Sequence, residues 1–313
     1  MKIQNIIMVA ALFTFQACNK MPKSVWIDKS GLYPEGLEYN EDTNSFLVTS
    51  LKEGSVGQVD SKGNYTRLVD DANLISAIGI RVDVKRNRIL VANSDPGVSI
   101  KTSPITQKKI AGLGIYNLSD GKLVKYVNLS ALLPKDAHFA NDIALDKKDG
   151  TVYVTDSFSP VIYKVSPEGE ASIFIRDERF TGDGFNLNGI VLYKDYLVVA
   201  KHNDGSLYKI PLAHPENITE VKVAQKFPGA DGLIKMGNHN LAVISNGSKT
   251  VYNLQSNDDF QTANVIASNI KDWRYNTTGV MVCGKPYVLN AELDMLFTGK
   301  PDVTKFEIRA LKF

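Results

Sequence analysis

Asn141-Asp142-Ile143-Ala144-Leu145-Asp146, then Thr151-Val152-Tyr153-Val154-Thr155-Asp156, then Val161-Ile162-Tyr163-Lys164-Val165: this stretch decides the fold. A polar residue opens an apolar strand. A polar turn follows, then a second apolar strand ending in small polar residues, then a third strand. The same order returns from Asn188, with Gly189-Ile190-Val191-Leu192, Leu197-Val198-Val199-Ala200 and Ser206-Leu207-Tyr208-Lys209-Ile210. It returns again from Asp231, with Leu241-Ala242-Val243-Ile244-Ser245 and Thr250-Val251-Tyr252-Asn253-Leu254. Weaker copies open at Glu35, Ile78 and Thr278, making six. Successive starts lie about 43 to 47 residues apart, except across residues 97–109, where Gly97, Pro104 and three lysines read as a loop insertion. A fourth strand shows in Ser172-Ile173-Phe174-Ile175 and Asn264-Val265-Ile266-Ala267. Four short strands per repeat of this length predict an all-β, six-bladed β-propeller. No segment holds helical periodicity over three turns.

The chain ends predict how the ring closes. The sixth copy runs out at Phe306-Glu307-Ile308-Arg309-Ala310-Leu311, its third strand. Ser24-Val25-Trp26-Ile27-Asp28, just before the first copy, can supply the fourth and remove the exposed edges. Residues 24–313 are then one propeller domain, preceded by residues 18–23 as a short linker. The 313 residues, 43% hydrophobic and 22% charged, suffice to bury such a core. The formal net charge of +2 contains no strongly basic block, which excludes the electrostatic footprint of a nucleic-acid binder.

Residues 1–17 read as an export signal: Lys2 supplies the positive start, residues 6–15 the apolar stretch, and Ala17 a small residue at the cut. The stretch is too short to span a bilayer. Phe15-Gln16-Ala17-Cys18 resembles a loose bacterial lipobox, so Cys18 is the expected lipid acceptor and the only membrane contact. The expectation is an exported periplasmic or outer-membrane lipoprotein, with plain secretion as the alternative. The other cysteine is Cys283, and a lipid on Cys18 and a Cys18–Cys283 disulfide exclude each other. Asn-x-Ser/Thr triplets such as Asn64-Tyr65-Thr66 suit a glycosylated protein, but an Asn-rich chain produces them by chance.

In a propeller the first strand of each blade lines the central channel, so the residues that open these strands converge on the axis. Aligned copies put Glu35, Ile78, Asn141, Asn188, Asp231 and Thr278 at that phase. Glu35, Asn141, Asn188 and Asp231 offer two carboxylates and two amide oxygens, a set suited to Ca²⁺. Mg²⁺, Mn²⁺ and Zn²⁺ are the alternative cations, and the lack of His or Cys in the set argues against Zn²⁺. Alone, Asn188-Gly189 or Asp231-Gly232 reads as an ordinary turn; four such residues at one phase of a repeat read as a metal site. Asp142 could serve a second metal, but the residue after Glu35 is Gly36, which has no side-chain ligand.

Second strands end on the same face, bringing Asn93, Asp95, Asp156, Lys201, His202, Asn246, Asn290 and Glu292 there, mostly as solvated loop residues. Tyr33, Phe139, Phe185 and Trp273 precede first strands and would wall an apolar pocket or pack the core. Asn93, Phe139, Asp156, Phe185, His202 and Trp273 are the expected substrate contacts. His138 is the histidine best placed for proton transfer, with a capping or surface role as the alternative.

Pro34-Glu35-Gly36, the 141–146 segment, Asn188-Gly189-Ile190 and Asp231-Gly232-Leu233 resemble the senescence marker protein, gluconolactonase and luciferin-regenerating enzyme-like family, with paraoxonases more distant. The resemblance covers nearly the whole chain after the export signal. It implies a metal-assisted hydrolase of a lactone or related ester, with Glu35, Asn188 and Asp231 as ligands and Asn141 as ligand or substrate contact. Two residues depart from it. Phe139 stands where the family's aldonolactone hydrolases place an arginine, and Ile78 and Ser94 where paraoxonase-type enzymes place a histidine pair. Within that reading Asp231 is the expected general base and a small lactone or ester the partner. The rivals are a non-catalytic envelope propeller with a structural metal, and a strictosidine-synthase-like propeller, to which Glu292 would belong.

Overall fold

A computed structural model describes residues 21–270 and 272–313 of the chain, so the expected export signal and Cys18 lie outside the described residues. Strand β1 (Ser24–Asp28) is followed by β2 (Leu37–Asn40), β3 (Ser45–Ser50), β4 (Ser55–Val59) and β5 (Tyr65–Asp70), which form one sheet. The next holds β6 (Ser76–Asp83), β7 (Arg88–Ser94), β8 (Ala111–Asn117) and β9 (Leu123–Asn128). Then come β10 (Ala140–Leu145), β11 (Val152–Asp156), β12 (Val161–Val165) and β13 (Ala171–Arg176). The fourth sheet has β14 (Leu187–Tyr193), β15 (Tyr196–Lys201), β16 (Leu207–Pro211) and β17 (Thr219–Glu220). The fifth has β18 (Ala230–Lys235), β19 (Asn240–Ser245), β20 (Thr250–Gln255) and β21 (Asn264–Ile270). β22 (Asn276–Val282), β23 (Lys285–Asn290) and β24 (Lys305–Ala310) complete the set. The chain is a six-bladed β-propeller.

The last sheet has the order β1-β24-β23-β22, so the N-terminal strand closes the ring as expected. Val25 pairs with Ile308 and Ile27 with Phe306. Val25 and Ile27 face inward and are buried, while Trp26 and Asp28 face out. The period-2 pattern of β1 thus matches the half-buried outer edge of a blade. Pro22 and Lys23, read as linker, are already tied to this blade: their carbonyls accept from Tyr287 Oη (3.1 Å) and Ala310 N (2.8 Å).

Burial falls from the axis outward. Inner strands such as β15 are buried throughout, whereas the outer β13 reads as mostly exposed. This explains why second strands appear in the sequence as unbroken apolar runs and fourth strands only weakly. Apolar side chains between adjacent blades make the cores; across the closure, Tyr33 packs on Phe306 (5.5 Å between centroids) and Phe46 on Tyr287 (5.6 Å). Residues 97–109 form the expected insertion, folded back on Asp95, whose carboxylate accepts from Gly97 N, Thr102 Oγ1 and Thr106 Oγ1 at 2.7–2.8 Å. Among the described residues no helix is long and apolar enough to cross a membrane. The one α-helix among them is α1 (Leu293–Phe297), after β23.

Candidate functional site

Five first strands carry the same irregularity. Their ladders jump from Ala77 to Ile80, Ala140 to Ile143, Leu187 to Ile190, Ala230 to Leu233 and Asn276 to Gly279, each against a single skipped residue on the second strand. These are β-bulges, and a bulge re-aims the side chain it carries. The bulged pairs are Ile78-Gly79, Asn141-Asp142, Asn188-Gly189, Asp231-Gly232 and Thr277-Thr278. Asn188-Gly189 and Asp231-Gly232 are therefore strand bulges and not turns. In the sixth blade the matching residue is Thr277, one before the expected Thr278. Its hydroxyl donates to Glu35 O (2.9 Å), as Thr155 Oγ1 donates to Asn188 O (2.8 Å).

The second residue of each bulge sits where neighbouring first strands crowd the axis. A Cβ on Gly36 would lie 2.3 Å from Ile78 O, one on Gly189 2.2 Å from Asp231 O, and one on Gly232 2.7 Å from Thr277 O. Glycine is required there by close backbone approach. Asp142 and Thr278 are the exceptions. Asp142 Oδ1 lies 3.3 Å from Arg81 Nη2, in the channel below the bulges. A guanidinium thus occupies the deeper position considered for a second metal.

Glu35, Asn141, Asn188 and Asp231 line one small cavity of about 40 Å³, together with Phe139, Phe185, His202, Asn246, Tyr275 and Phe297. Asn141 donates from Nδ2 to Ser157 Oγ (2.9 Å), which leaves its buried Oδ1 with no hydrogen-bond partner. Asp231 Oδ2 accepts from Asn246 Nδ2 (2.7 Å), and Asn246 Oδ1 faces His202 Nε2 (3.3 Å). Burial holds the Glu35 carboxyl well above the usual carboxylate range, and the charges of Asp231 and Asp142 raise it further against the opposing effect of Arg81. Asp231 is likewise raised by burial and by Asp142, against hydrogen bonds from Asn188 and Asn246. Burial lowers the His202 imidazole, outweighing its bond to Asn246, so the ring is neutral at pH 7.

An orphaned amide oxygen beside two mutually repelling buried carboxylates fits a hard cation. Among the described residues no three His, Cys, Asp or Glu side chains form a metal cluster, so a cation here must also use the oxygens of Asn141 and Asn188. That donor set is all oxygen, the preference of Ca²⁺.

Of the expected substrate contacts, Phe139, Phe185 and His202 are at the cavity. Phe139 and Phe185 pack 5.3 Å apart, and Phe297 of α1 continues their wall, 6.5 Å from Phe185. The other three do not line the cavity. Asp156 is fully buried and accepts from Phe139 N (2.7 Å), Phe158 N and Ser159 N (both 3.0 Å), so it shapes the loop that carries Phe139. Asn93 does the same in the preceding blade, with Oδ1 on Ile75 N (2.8 Å) and Nδ2 on Asn73 O (2.9 Å). Trp273 is a core residue, packed with Ile234, Ala242 and Val288, its Nε1 on Asn269 O (3.2 Å).

His138 is held at both ring nitrogens, by Asp156 Oδ2 and by Leu133 O (each 2.9 Å), and does not line the cavity. Its alternative capping role is the one the structure supports. Glu292 pairs with Arg274 (3.1 Å) and does not line the cavity. Asn246, Tyr275 and Phe297 were not expected at the site. Asn246 was legible as a residue ending a second strand; Tyr275 stands two residues before its bulge, where Phe139 stands in the third blade, each carbonyl accepting from the second-strand end (Ala291 N and Ser157 N), whereas Phe297 stands on a segment with no counterpart in the other repeats. Tyr275 takes a left-handed backbone (φ 54°), and burial with the nearby Asp231 raises its phenol.

No family model matches the chain, and no curated protein matches it. Among solved structures, the chain is similar to the major allergen Mala s 1 of Malassezia sympodialis, with TM-score 0.75 and 18% identity over 93% of this chain and 96% of that one. It is similar to the calcium-binding protein regucalcin of Agrobacterium tumefaciens, with TM-score 0.64 and 14% identity over 93% and 95%. A luciferin-regenerating enzyme has TM-score 0.62 and 12% identity over 93% and 97%. At these identities the likenesses establish the propeller fold alone.

Proposed function

We propose that the chain is a Ca²⁺-dependent hydrolase of a lactone or related ester, gluconolactonase-like in chemistry. The observation that carries this reading is Asn141 Oδ1, buried and unpartnered beside the raised carboxyls of Glu35 and Asp231 in an aromatic-walled cavity. The regucalcin likeness, itself a calcium-binding protein by name, supports the choice of cation. Glu35, Asn141, Asn188 and Asp231 would hold it. When bound, Ca²⁺ supplies Lewis-acid polarisation of a carbonyl and charge for the oxyanion that develops there.

The side chains divide the remaining work. Phe139, Phe185 and Phe297 take the apolar part of the substrate and exclude water from that flank. Asp231 turns Oδ2 to Asn246, which fixes the carboxylate plane, and the same carboxylate would help hold the cation. Asp231 accepts the proton of the attacking water. His202, neutral at pH 7, donates to Asn246 and fixes the amide so that its NH₂ faces Asp231. In this reading the protein is exported by residues 1–17 and meets a small-molecule substrate in the envelope.

The second reading is a non-catalytic binding propeller with a structural cation. It is favoured by the engagement of His138, Asp156 and Glu292 elsewhere, which leaves Asp231, Glu35 and His202 as the titratable residues lining the cavity, with the phenol of Tyr275 beside them. Turnover of a panel of lactones and aryl esters, with and without chelator, separates the two. Chelator-sensitive turnover supports the hydrolase. Calcium binding without turnover of any substrate supports the binding module.

A further inference from the structure

A larger cavity lies at the other end of the same first strands. It encloses about 570 Å³ and opens at the lower face. Its floor and walls are the far ends of the strands whose near ends hold Glu35, Asn141, Asn188 and Asp231, and the Arg81–Asp142 pair lies between the two mouths.

Its charge is one-sided. Arg81, Lys147, Lys148, Lys194 and Lys235 line it, against Glu38 and Asp146. The whole chain carries only +2, so this mouth concentrates positive charge that the rest of the surface does not share. None of the four lysines has a carboxylate partner among the described residues, whereas the exposed Lys122 and Lys125 each have one. Lys235 is half-buried, gives one hydrogen bond to Leu192 O (2.9 Å) and lies over the Tyr193 ring (4.6 Å). Burial and the repulsion of Lys194 lower its ammonium below the ordinary value. Asp146 is turned into its own hairpin, its Oδ1 accepting from Lys148 N (2.8 Å). Glu38 is raised by burial, against Arg81 and Lys147, and its Oε1 accepts from Tyr39 N (3.0 Å).

Its apolar lining is carried by the part-exposed Leu192, Val280 and Met281, backed by the buried Leu37, Ile190 and Leu233. A cationic rim over an apolar throat, with low-dielectric walls that focus the field, matches one class of ligand. We propose that the lower mouth binds an organic anion with an apolar body, its carboxylate or phosphate head on Lys194 and Lys235 and its body in the throat. The site is independent of the cation site at the upper mouth.

The test uses calorimetric titration of the full propeller with octanoate, octyl phosphate and inorganic phosphate. Octanoate or octyl phosphate should saturate at one per chain, and inorganic phosphate should bind at least tenfold more weakly. Which of the two heads binds more tightly identifies carboxylate or phosphate recognition. The double variant Lys194→Gln with Lys235→Gln should weaken the alkyl anion at least tenfold while its melting curve and its calcium binding stay as in the parent. Added chelator should leave anion binding unchanged. No saturable binding, binding untouched by the double variant, or inorganic phosphate as tight as the alkyl anions would each overturn the proposal.

Discussion

Replacing Ile27 by alanine asks whether the ring is locked by its first strand. Ile27 has no exposed surface, pairs with Phe306 across the β1–β24 ladder and belongs to the core containing Tyr33, Phe46 and Tyr287. A buried Ile→Ala change loses the transferred methyl groups and leaves a cavity, together about 2–5 kcal/mol. For a domain this large each kcal/mol shifts Tm by about 2 °C, so the variant should melt about 4–10 °C lower. The internal control is Trp26→Ala, one residue away. Trp26 is 45% exposed on the outer face, with the Arg274 guanidinium 5.0 Å from its ring. An exposed cation–π contact is worth about 0.5–1 kcal/mol, so that variant should shift Tm by no more than about 2 °C. A chain starting at Lys29 should lose more than either, because β24 would become an open edge and both Val25 and Ile27 would be missing. Differential scanning calorimetry compares the four proteins. Equal Tm values for Ile27→Ala and Trp26→Ala, or an unchanged curve for the chain starting at Lys29, would refute this closure.

Gly36→Ala should destabilise the protein by about 1–3 kcal/mol or more, since its Cβ would meet Ile78 O at 2.3 Å and neither strand can recede; an unshifted Tm refutes the axial crowding. Asp231→Asn should lower ester turnover about 10²-fold or more by removing the proton acceptor. It also leaves one oxygen for both Asn246 and the cation, so weakened calcium binding is expected too; near-parental turnover would remove Asp231 as base. Burial lowers the His138 imidazole, but its bond and charge interaction with Asp156 outweigh this and leave it raised above the ordinary value. Its protonation therefore stabilises the fold below the unfolded value near 6.5, and the contribution is lost as pH rises through the higher folded value. Stability measured across that window should fall in the parent and be flatter in His138→Gln; parallel profiles contradict the assignment.

The repeat was legible because inner strands are buried on both sides and so read as unbroken apolar runs separated by polar turns. Closure was legible because β1 alternates Val25, Trp26, Ile27 against a third strand that lacked a fourth. The bulges were not. Asn188-Gly189 carries the same two letters in a turn and in a bulge, and only the paired strand's register separates them. The sixth blade shows the consequence: Thr277-Thr278 has no glycine or acid to mark the phase, and the alignment slipped by one. The second-strand ends misled for another reason. Asn93 and Asp156 do point back toward the top face, but backbone N–H groups of the preceding loop take their oxygens. The same slip hid Tyr275, which stands two residues before its bulge as Phe139 does, while Phe297 lay beyond repeat logic altogether, since the segment holding α1 belongs to the last blade alone.

Whether the orphaned oxygen of Asn141, with Glu35, Asn188 and Asp231, holds a calcium ion is tested most directly by calorimetric titration. Chelator-stripped protein is titrated with Ca²⁺, the parent and Asn141→Ala in parallel. The parent should bind one ion per chain. The variant should bind at least tenfold more weakly, about 1.4 kcal/mol, with the melting curve of the calcium-free protein little changed. No saturable calcium binding by the parent, or equal affinity in Asn141→Ala, would contradict the calcium site.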